Sequence, residues 1–427
     1  MKGDFVMLKA RSTFLLVGLA SLALGLLPML AGAGACNSKG ARFYVPAPDK
    51  GAVQQIHSLI KQHQFQSAAL IDKMTDKSHA VWLSGGTPAD VQKQVRKTMH
   101  LARWQHAVPV LVAYDLPFRD CGQYSAGGAL NTADYLAWID GLAKGIGDGK
   151  AVVLLEPDGL GIIPDNTTIY GQAEWCKPDL TGTGLTEEQA NQARYDQLNG
   201  AVDRLEQQPN VNVYLDGTHA AWLGVGEAAY RLFHAGVERA QGFFLNVSNY
   251  QTTENSVTFG TWVSDCIAFA TNPAEGGWRL NNFSWCASQY NPALNYAVDY
   301  SPAYAQSVTD QLTGLMGSAT AATHFVIDTS RNGQGPWTGG ASYTDRQDWC
   351  NPPGRGVGIT STTETGNALV DAYLWVKVPG ESDGSCNRGV SGSTTDPEWG
   401  GIVDPAAGEW FPQQALQLAQ LASPTLK

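Results

Sequence analysis

Val152-Val153-Leu154-Leu155-Glu156-Pro157-Asp158-Gly159-Leu160-Gly161 is an apolar run that stops abruptly in two carboxylates, a proline and a glycine. An uninterrupted run of this kind suits a strand buried on both faces, as in a parallel sheet. Open α/β sheets and barrels put their chemistry just past the carboxyl ends of strands. Asp158 therefore stands where an active-site acid would stand. Taken alone, the string reads equally well as a strand followed by an ordinary polar turn. Its recurrence along the chain separates the two.

The same layout appears in Pro109-Val110-Leu111-Val112-Ala113-Tyr114-Asp115, in Val211-Asn212-Val213-Tyr214-Leu215-Asp216, in Gly242-Phe243-Phe244-Leu245-Asn246 and in His324-Phe325-Val326-Ile327-Asp328. Ala80-Val81-Trp82-Leu83 is a short apolar segment before two glycines, and Tyr373-Leu374-Trp375-Val376-Lys377 reads as the last strand. Helical stretches lie between them. Thr87-Pro88-Ala89-Asp90 offers a cap followed by proline at the first helical position, and Thr186-Glu187-Glu188-Gln189 is a capping box. Further helices are expected over residues 51–64, 132–145, 227–240, 303–315 and 411–422. Residues 165–185 read as an excursion loop, and 251–300 as more loop than element. Strand alternating with helix predicts an α/β fold with a parallel sheet. A count of about seven to eight strands suits a barrel or strongly curled sheet in a single domain.

The chain has 427 residues, 43% of them hydrophobic, enough for a sizeable core. Its formal charge is −11 and it has no basic run, which argues against nucleic acid and anionic membrane surfaces as partners. Thirteen Trp and fifteen Tyr supply either core or flat platforms on which sugar rings stack. Lys2, Lys9 and Arg11 precede the apolar run Phe14 to Leu30, and Ala33-Gly34-Ala35 fits a small-residue cleavage pattern. Residues 1–35 thus read as an export signal and residues 36–427 as the secreted catalytic domain, with lipid attachment at Cys36 a minor alternative. Export permits disulfides. Seven cysteines leave one odd, and sequence does not fix the connectivity. Nearest-in-order pairing gives Cys121–Cys176, Cys266–Cys286 and Cys350–Cys386, leaving Cys36 free.

Acids recur at strand ends: Asp115 and Asp120, Asp158, Asp216, and Glu381 with Asp383 beyond Lys377. Clustered carboxylates suit metal binding or acid/base cleavage of a glycosidic bond. The eight histidines lack a tight ligand spacing, so no metal or cofactor is expected, an all-carboxylate magnesium site being the alternative. Glycosidic cleavage needs one carboxyl kept protonated and another ionised. Packing Asp120 against Asp158 would raise one of the two, while Arg119 or Lys377 would hold others ionised. No nucleophile elbow, P-loop or dinucleotide fingerprint follows a strand. A non-catalytic glucan-binding protein is the reading from a different class, and it has no use for this acid set.

The motifs resemble those of glycoside hydrolase family 6, the inverting cellulases. They are Tyr114-Asp115-Leu116-Pro117-x-Arg119-Asp120-Cys121, Glu156-Pro157-Asp158, Tyr214-Leu215-Asp216-x-x-His219-x-x-Trp222-Leu223-Gly224, Asn246-Val247-Ser248-Asn249-Tyr250, Asp348-Trp349-Cys350-Asn351 and Trp375-Val376-Lys377-x-Pro379-Gly380-Glu381-x-Asp383-Gly384. They stand in family order from about residue 43 onward. The resemblance implies a distorted parallel (β/α) barrel, a cleft across its carboxyl rim, and β-1,4-glucan (cellulose and cello-oligosaccharides) cleaved with inversion; a monomer is expected, although sequence does not fix the oligomeric state. By motif position Asp158 is the general acid, Asp120 sustains its protonation, and Asp383 matches the base. A water chain through Ser125 to Asp120 is the rival base. Tyr114 presses on the sugar at the cleavage point, and Lys377 and Glu381 bond neighbouring sugars. Trp82, Trp222 and Trp349 are stacking platforms, while Asp216, His219 and Asn249 line the cleft.

Departures from the family pattern bear on the mode of attack. Residues 165–185 and 251–300 are long, and Cys266 and Cys286 look additional. Val378-Pro379-Gly380-Glu381 and the compact Gly122-Gln123-Tyr124-Ser125-Ala126-Gly127-Gly128 resemble endo-acting bacterial members. Residues 385–407 are long enough to fold over the cleft. The expectation is an endoglucanase, with exo-acting, processive cellobiohydrolase action as runner-up.

Overall fold

A computed structural model describes residues 40–427. The expected export segment and Cys36 lie outside the described residues. Seven strands form the main sheet: β1 (Val81–Leu83), β2 (Val110–Ala113), β3 (Ala151–Leu155), β4 (Val211–Asp216), β5 (Gly242–Leu245), β6 (His324–Asp328) and β7 (Val370–Leu374). They stand side by side in chain order and every pairing is parallel. The two edges come together. The Ala80 N–H donates to the Trp375 carbonyl at 2.8 Å, and the Trp82 indole N–H to the Val376 carbonyl at 2.9 Å. The sheet is therefore curled into a distorted barrel, with the seam between β1 and β7.

Side-chain alternation with period two builds two cores from each strand. Val110, Val112, Val152, Leu154, Tyr214, Phe244, Val326, Ala372 and Leu374 point inward and fill the barrel. Leu111, Ala113, Val153, Leu155, Val213, Leu215, Phe243, Leu245, Phe325 and Ile327 point outward, beneath the helices. This is why the strands carry no polar alternation. The outer layer includes α3 (Pro88–Trp104), α4 (Thr132–Ile146), α5 (Glu187–Leu205), α6 (Val225–His234), α7 (Thr253–Ala270) and α8 (Pro302–Met316). The capping boxes of α3 and α5 form as expected, through Thr87 with Asp90 and Thr186 with Gln189. A third cluster joins α1 (Lys50–Lys61), α2 (Phe65–Thr75) and α9 (Pro412–Gln420) around Trp375.

Three readings of the sequence need correction. The first helix ends at Lys61, and α2, which was not expected, follows. The span 251–300 opens with the eighteen-residue helix α7. Its β-branched residues and Gly260 lower helix propensity. Tertiary burial overrides that, since Phe259, Trp262, Val263, Cys266 and Phe269 are all buried. The last strand begins three residues earlier than expected, at Val370. Asp371 interrupts its apolar pattern. It is tolerated because Tyr214 Oη and His324 Nδ1 lie 2.7 Å from its two oxygens.

The three disulfides follow nearest-in-order pairing: Cys121–Cys176, Cys266–Cys286 and Cys350–Cys386. Among the described residues, no helix is long and apolar enough to cross a membrane.

Candidate active site

At the carboxyl rim the chain leaves each strand through a sharp turn. Asp120, Glu156, Asp158, Thr218, Asn246 and Ser248 all adopt positive φ, a costly conformation for residues other than glycine. These turns aim the side chains that follow β2, β3, β4 and β5 into one cavity of about 610 Å³. All thirteen residues singled out from the sequence line it: Asp120, Asp158, Asp383, Tyr114, Ser125, Asp216, His219, Trp82, Trp222, Asn249, Trp349, Lys377 and Glu381. Asp115 does not line it. That carboxylate is buried, 3.9 Å from Arg119.

Glu156 has a bracing part. Its carboxylate accepts the backbone N–H groups of Asp115, at 3.0 and 2.8 Å, and Leu116, at 3.1 Å, so the end of β3 fixes the turn after β2. Burial pushes its carboxyl up to about 8. Two residues on, Asp158 sits among anions. Burial raises its carboxyl well above the ordinary range, and the charges of Asp216, Asp120 and Asp383 raise it further. No hydrogen bond to its carboxylate opposes this among the described residues. It is the group held protonated.

Asp120 is also raised by burial, but the Ser125 N–H donates to it at 2.7 Å and Arg119 draws it back. Arg119 in turn donates to the carbonyls of Tyr114, at 2.5 Å, and Ser125, at 2.8 Å, and lies over the Tyr114 ring. Asp216 stands at about 6, pushed up by burial and restrained by the N–H groups of Thr218, Gly161 and Leu160 at 2.9–3.2 Å. Burial lowers His219 to about 4, so its imidazole is neutral near pH 7.

Asp383 is the opposite case. Burial raises its carboxyl, but Arg331 at 2.8 Å, Lys377 at 3.6 Å and the Asn351 N–H at 2.9 Å outweigh that and hold it below 3.8. The Tyr250 hydroxyl lies 3.3 Å away. Glu381 is pushed up to about 7 by burial, against the pull of Lys377.

Aromatic rings flank the acids. Trp82 meets Tyr114 edge to face at 5.4 Å, and His219 lies 5.7 Å from Trp222. Sequence reasoning missed Trp175, which lines the cavity from the excursion at residues 165–185 beside the bridged Cys176. It also missed Tyr124, whose ring lies 5.9 Å from that of Trp349. Arg331 was missed as well, although it follows β6 by only three residues. A buried arginine in a glycine-rich stretch has no sequence signature. Among the described residues, one acidic and sulfur grouping is tight enough to share an ion, Cys386 with Asp396 and Asp404. The Cys386 sulfur is already committed to its disulfide.

A protonated carboxyl and an ionised one in a single aromatic-lined cavity match the division of labour in glycosidic cleavage. Comparison with known proteins agrees. Residues 38–422 match glycosyl hydrolases family 6. The chain is 30% identical over 96% of its length to endoglucanase A of Thermobispora bispora, spanning 70% of that protein. It is 31% identical over 74% of its length to 1,4-beta-D-glucan cellobiohydrolase C of Emericella nidulans, spanning 61% of that one. The solved endoglucanase Cel6 of Mycobacterium tuberculosis, in complex with methyl-cellobiosyl-4-deoxy-4-thio-β-D-cellobioside, is 31% identical with a TM-score of 0.62, over 90% of this chain and 97% of that one. With its motifs, its curled seven-stranded sheet and its opposed carboxyls all in place, this chain belongs to glycosyl hydrolases family 6.

Proposed function

We propose that this chain is an exported endo-β-1,4-glucanase that cleaves cellulose and related β-glucans with inversion, acting as a monomer and without a metal. The observation that carries the reading is the opposed ionisation of Asp158 and Asp383 within one cavity. Asp158 donates its proton to the departing glycosidic oxygen. Asp383, ionised, takes a proton from the attacking water on the other side of the sugar ring. Asp120, bonded to the Ser125 N–H, adds negative charge near Asp158 and helps keep it protonated. Trp82, Trp222 and Trp349 stack sugar faces, and Tyr114 presses on the ring being cleaved. Lys377, Glu381, Asp216, His219 and Asn249 offer polar contacts to the neighbouring hydroxyls.

Endo action is supported by how little of the two long segments reaches the cleft. No residue of 251–300 lines the cavity among the described residues, and of 385–407 only Ala407 does. A chain can therefore enter at its middle. Exo action is favoured by one contact. Tyr124, from the compact loop after β2, reaches Trp349 and packs so closely on Gly384 that a Cβ there would lie 2.7 Å from it. That contact narrows the rim locally. Following viscosity and reducing sugar together on carboxymethyl-cellulose tests the reading. Viscosity falls early for an endo enzyme, and a slow fall with cellobiose as the dominant early product reverses the assignment. Proton NMR of fresh product tests inversion, which yields the α-anomer first.

A further inference from the structure

Behind Asp383, away from the cavity, lies a buried polar cluster that the reaction as described does not use. Its hub is Asn351, fully buried and held at φ 41°, in the left-handed region that asparagine tolerates better than most residues other than glycine and that alanine adopts only with strain. Asn351 and Asp383 bond reciprocally. The Asn351 N–H donates to Asp383 Oδ2 at 2.9 Å, and the Asp383 N–H donates to Asn351 Oδ1 at 2.8 Å. The remaining side-chain donors of Asn351 reach Ser382 Oγ at 2.9 Å, the Gly384 carbonyl at 3.0 Å and Asp404 Oδ2 at 2.9 Å. Its carbonyl accepts from Arg388 at 3.1 Å and from the Trp399 indole at 2.8 Å.

Asp404, Asp396, Arg388 and Trp399 all belong to the long segment after Cys386. Arg388 and Asp396 are paired through two bonds, at 3.1 and 2.5 Å, and both are fully buried. Asp404 is 1% exposed, no N–H or hydroxyl donor reaches its Oδ1 among the described residues, and its carboxyl is hydrogen-bonded to that of Asp396. Its carboxyl and that of Asp396 lie within 4.8 Å of each other. Two buried carboxyls thus face one guanidinium, which is already engaged by Asp396. Such a pair cannot stay doubly ionised at low cost, so one member keeps a proton.

We propose that Asn351 is the positioning residue of the base, and that Asp404, neutral and sharing its proton toward Asp396, holds Asn351 in its left-handed conformation. This rests on the assignment of Asp383 as base. The segment 385–407, which reads from the sequence as a cover for the cleft, is then chiefly a brace behind it. The charged groups around Asp404 are few. They are Asp396 and Arg388 on its own segment, Asp383 with Arg331 and Lys377 beyond Asn351, and Glu398, bonded to the Tyr343 hydroxyl at 2.8 Å, next to Asp396. Burial is the main cause that pushes the Asp404 carboxyl up, to about 7, and the Asp396 charge adds to it.

The experiment has two arms. In the first, Asn351→Ala cannot hold positive φ without strain, whereas Asn351→Gly can, keeping its N–H in place. The alanine variant should lose about 10²-fold in kcat, the loss a misplacement of about 1 Å brings, with KM near the parent value. Its acid limb in kcat/KM should move to higher pH, because relief of the strained φ swings the backbone N–H of residue 351 away from Asp383, which that N–H helps keep ionised. The glycine variant should recover much of both. Equal acid limbs in all three proteins overturn the positioning role. In the second arm, Asp404→Asn supplies a permanent neutral group, and thermal stability is read against pH. A carboxyl raised from 3.8 to about 7 on folding makes the parent lose stability as pH rises between those values, since the unfolded chain has released the proton and the folded one has not. Asp404→Asn should show a shallower decline over that range, since Glu156, Glu381 and Asp216 still contribute theirs. Parallel profiles for the two proteins overturn the shared proton. An Asp383→Asn variant with full kcat would instead overturn the base assignment, and with it the positioning role of Asn351, while the stability arm still decides the proton.

Discussion

Asp158 and Asp383 are the same residue type on the same rim, and they face opposite surroundings. The end of β3 presents Asp158 to three other carboxylates, with no cation paired to it. The stretch beyond β7 presents Asp383 to Arg331, Lys377 and two further donors. Burial pushes both toward the neutral form. On one side nothing opposes it, and on the other a guanidinium 2.8 Å away reverses it. The division between protonated and ionised carboxyl is therefore set by neighbours supplied from other strands, not by the aspartates themselves.

The most direct way to break this comparison is to remove the proton from the β3 side. Asp158→Asn should cost about 10²–10⁴-fold in kcat on substrates with poor leaving groups and much less on activated aryl glycosides. Equal losses on both would end its role as acid. On the opposite side, Arg331→Met strips the cation from a buried pair. It should cost up to about 3–5 kcal/mol of stability in urea titration, because the buried carboxylate is left with Lys377, 3.6 Å away, as its nearest cation. It should also move the acid limb of kcat/KM to higher pH, since Asp383 must be ionised to act and would now protonate more readily. An unmoved limb would mean that Lys377 and Asn351 suffice.

The disulfides sharpen the contrast further. Cys121–Cys176 joins the loops beside Asp120 and Asp158, as Cys350–Cys386 joins those beside Asn351 and Asp383. Replacing Cys121 and Cys176 together with serine should lower stability by about 2–4 kcal/mol. Damage confined to the acid side would appear as a lowered alkaline limb with the acid limb unchanged. The smallest effect is expected from Trp175→Ala, on the excursion that this bridge anchors. Losing that platform should raise KM for long cello-oligosaccharides on the order of tenfold, about 1.4 kcal/mol, and leave cellotriose unaffected. Equal changes on short and long substrates would place Trp175 at the cleavage point instead.

Much of this was legible in the chain itself. Apolar runs ending in a carboxylate marked β2, β3, β4 and β6, because a strand buried on both faces needs no polar alternation while its rim is polar. Thr87 and Thr186 marked two helix starts through local capping alone. Legibility failed where local signals were overridden. The helix α7 has weak intrinsic propensity and forms because one face packs under the sheet. The start of β7 was hidden by Asp371, acceptable only because Tyr214 and His324 reach it from other strands.

The sequence by itself determined which residues could do the chemistry. Aspartate at a strand end is a local pattern, and all thirteen residues read from motifs reached one cavity. Only the tertiary structure decided which aspartate keeps its proton. Ionisation depends on charges and donors within a few ångströms, and for Asp383 these come from Arg331, 52 residues earlier in the chain, and Asn351, 32 residues earlier. The tertiary structure also decided what the long segment after Cys386 is for. Its length allowed a cover over the cleft, but burial of Arg388, Asp396 and Asp404 turns it into a support behind Asn351, because buried charges hold only where partners meet them.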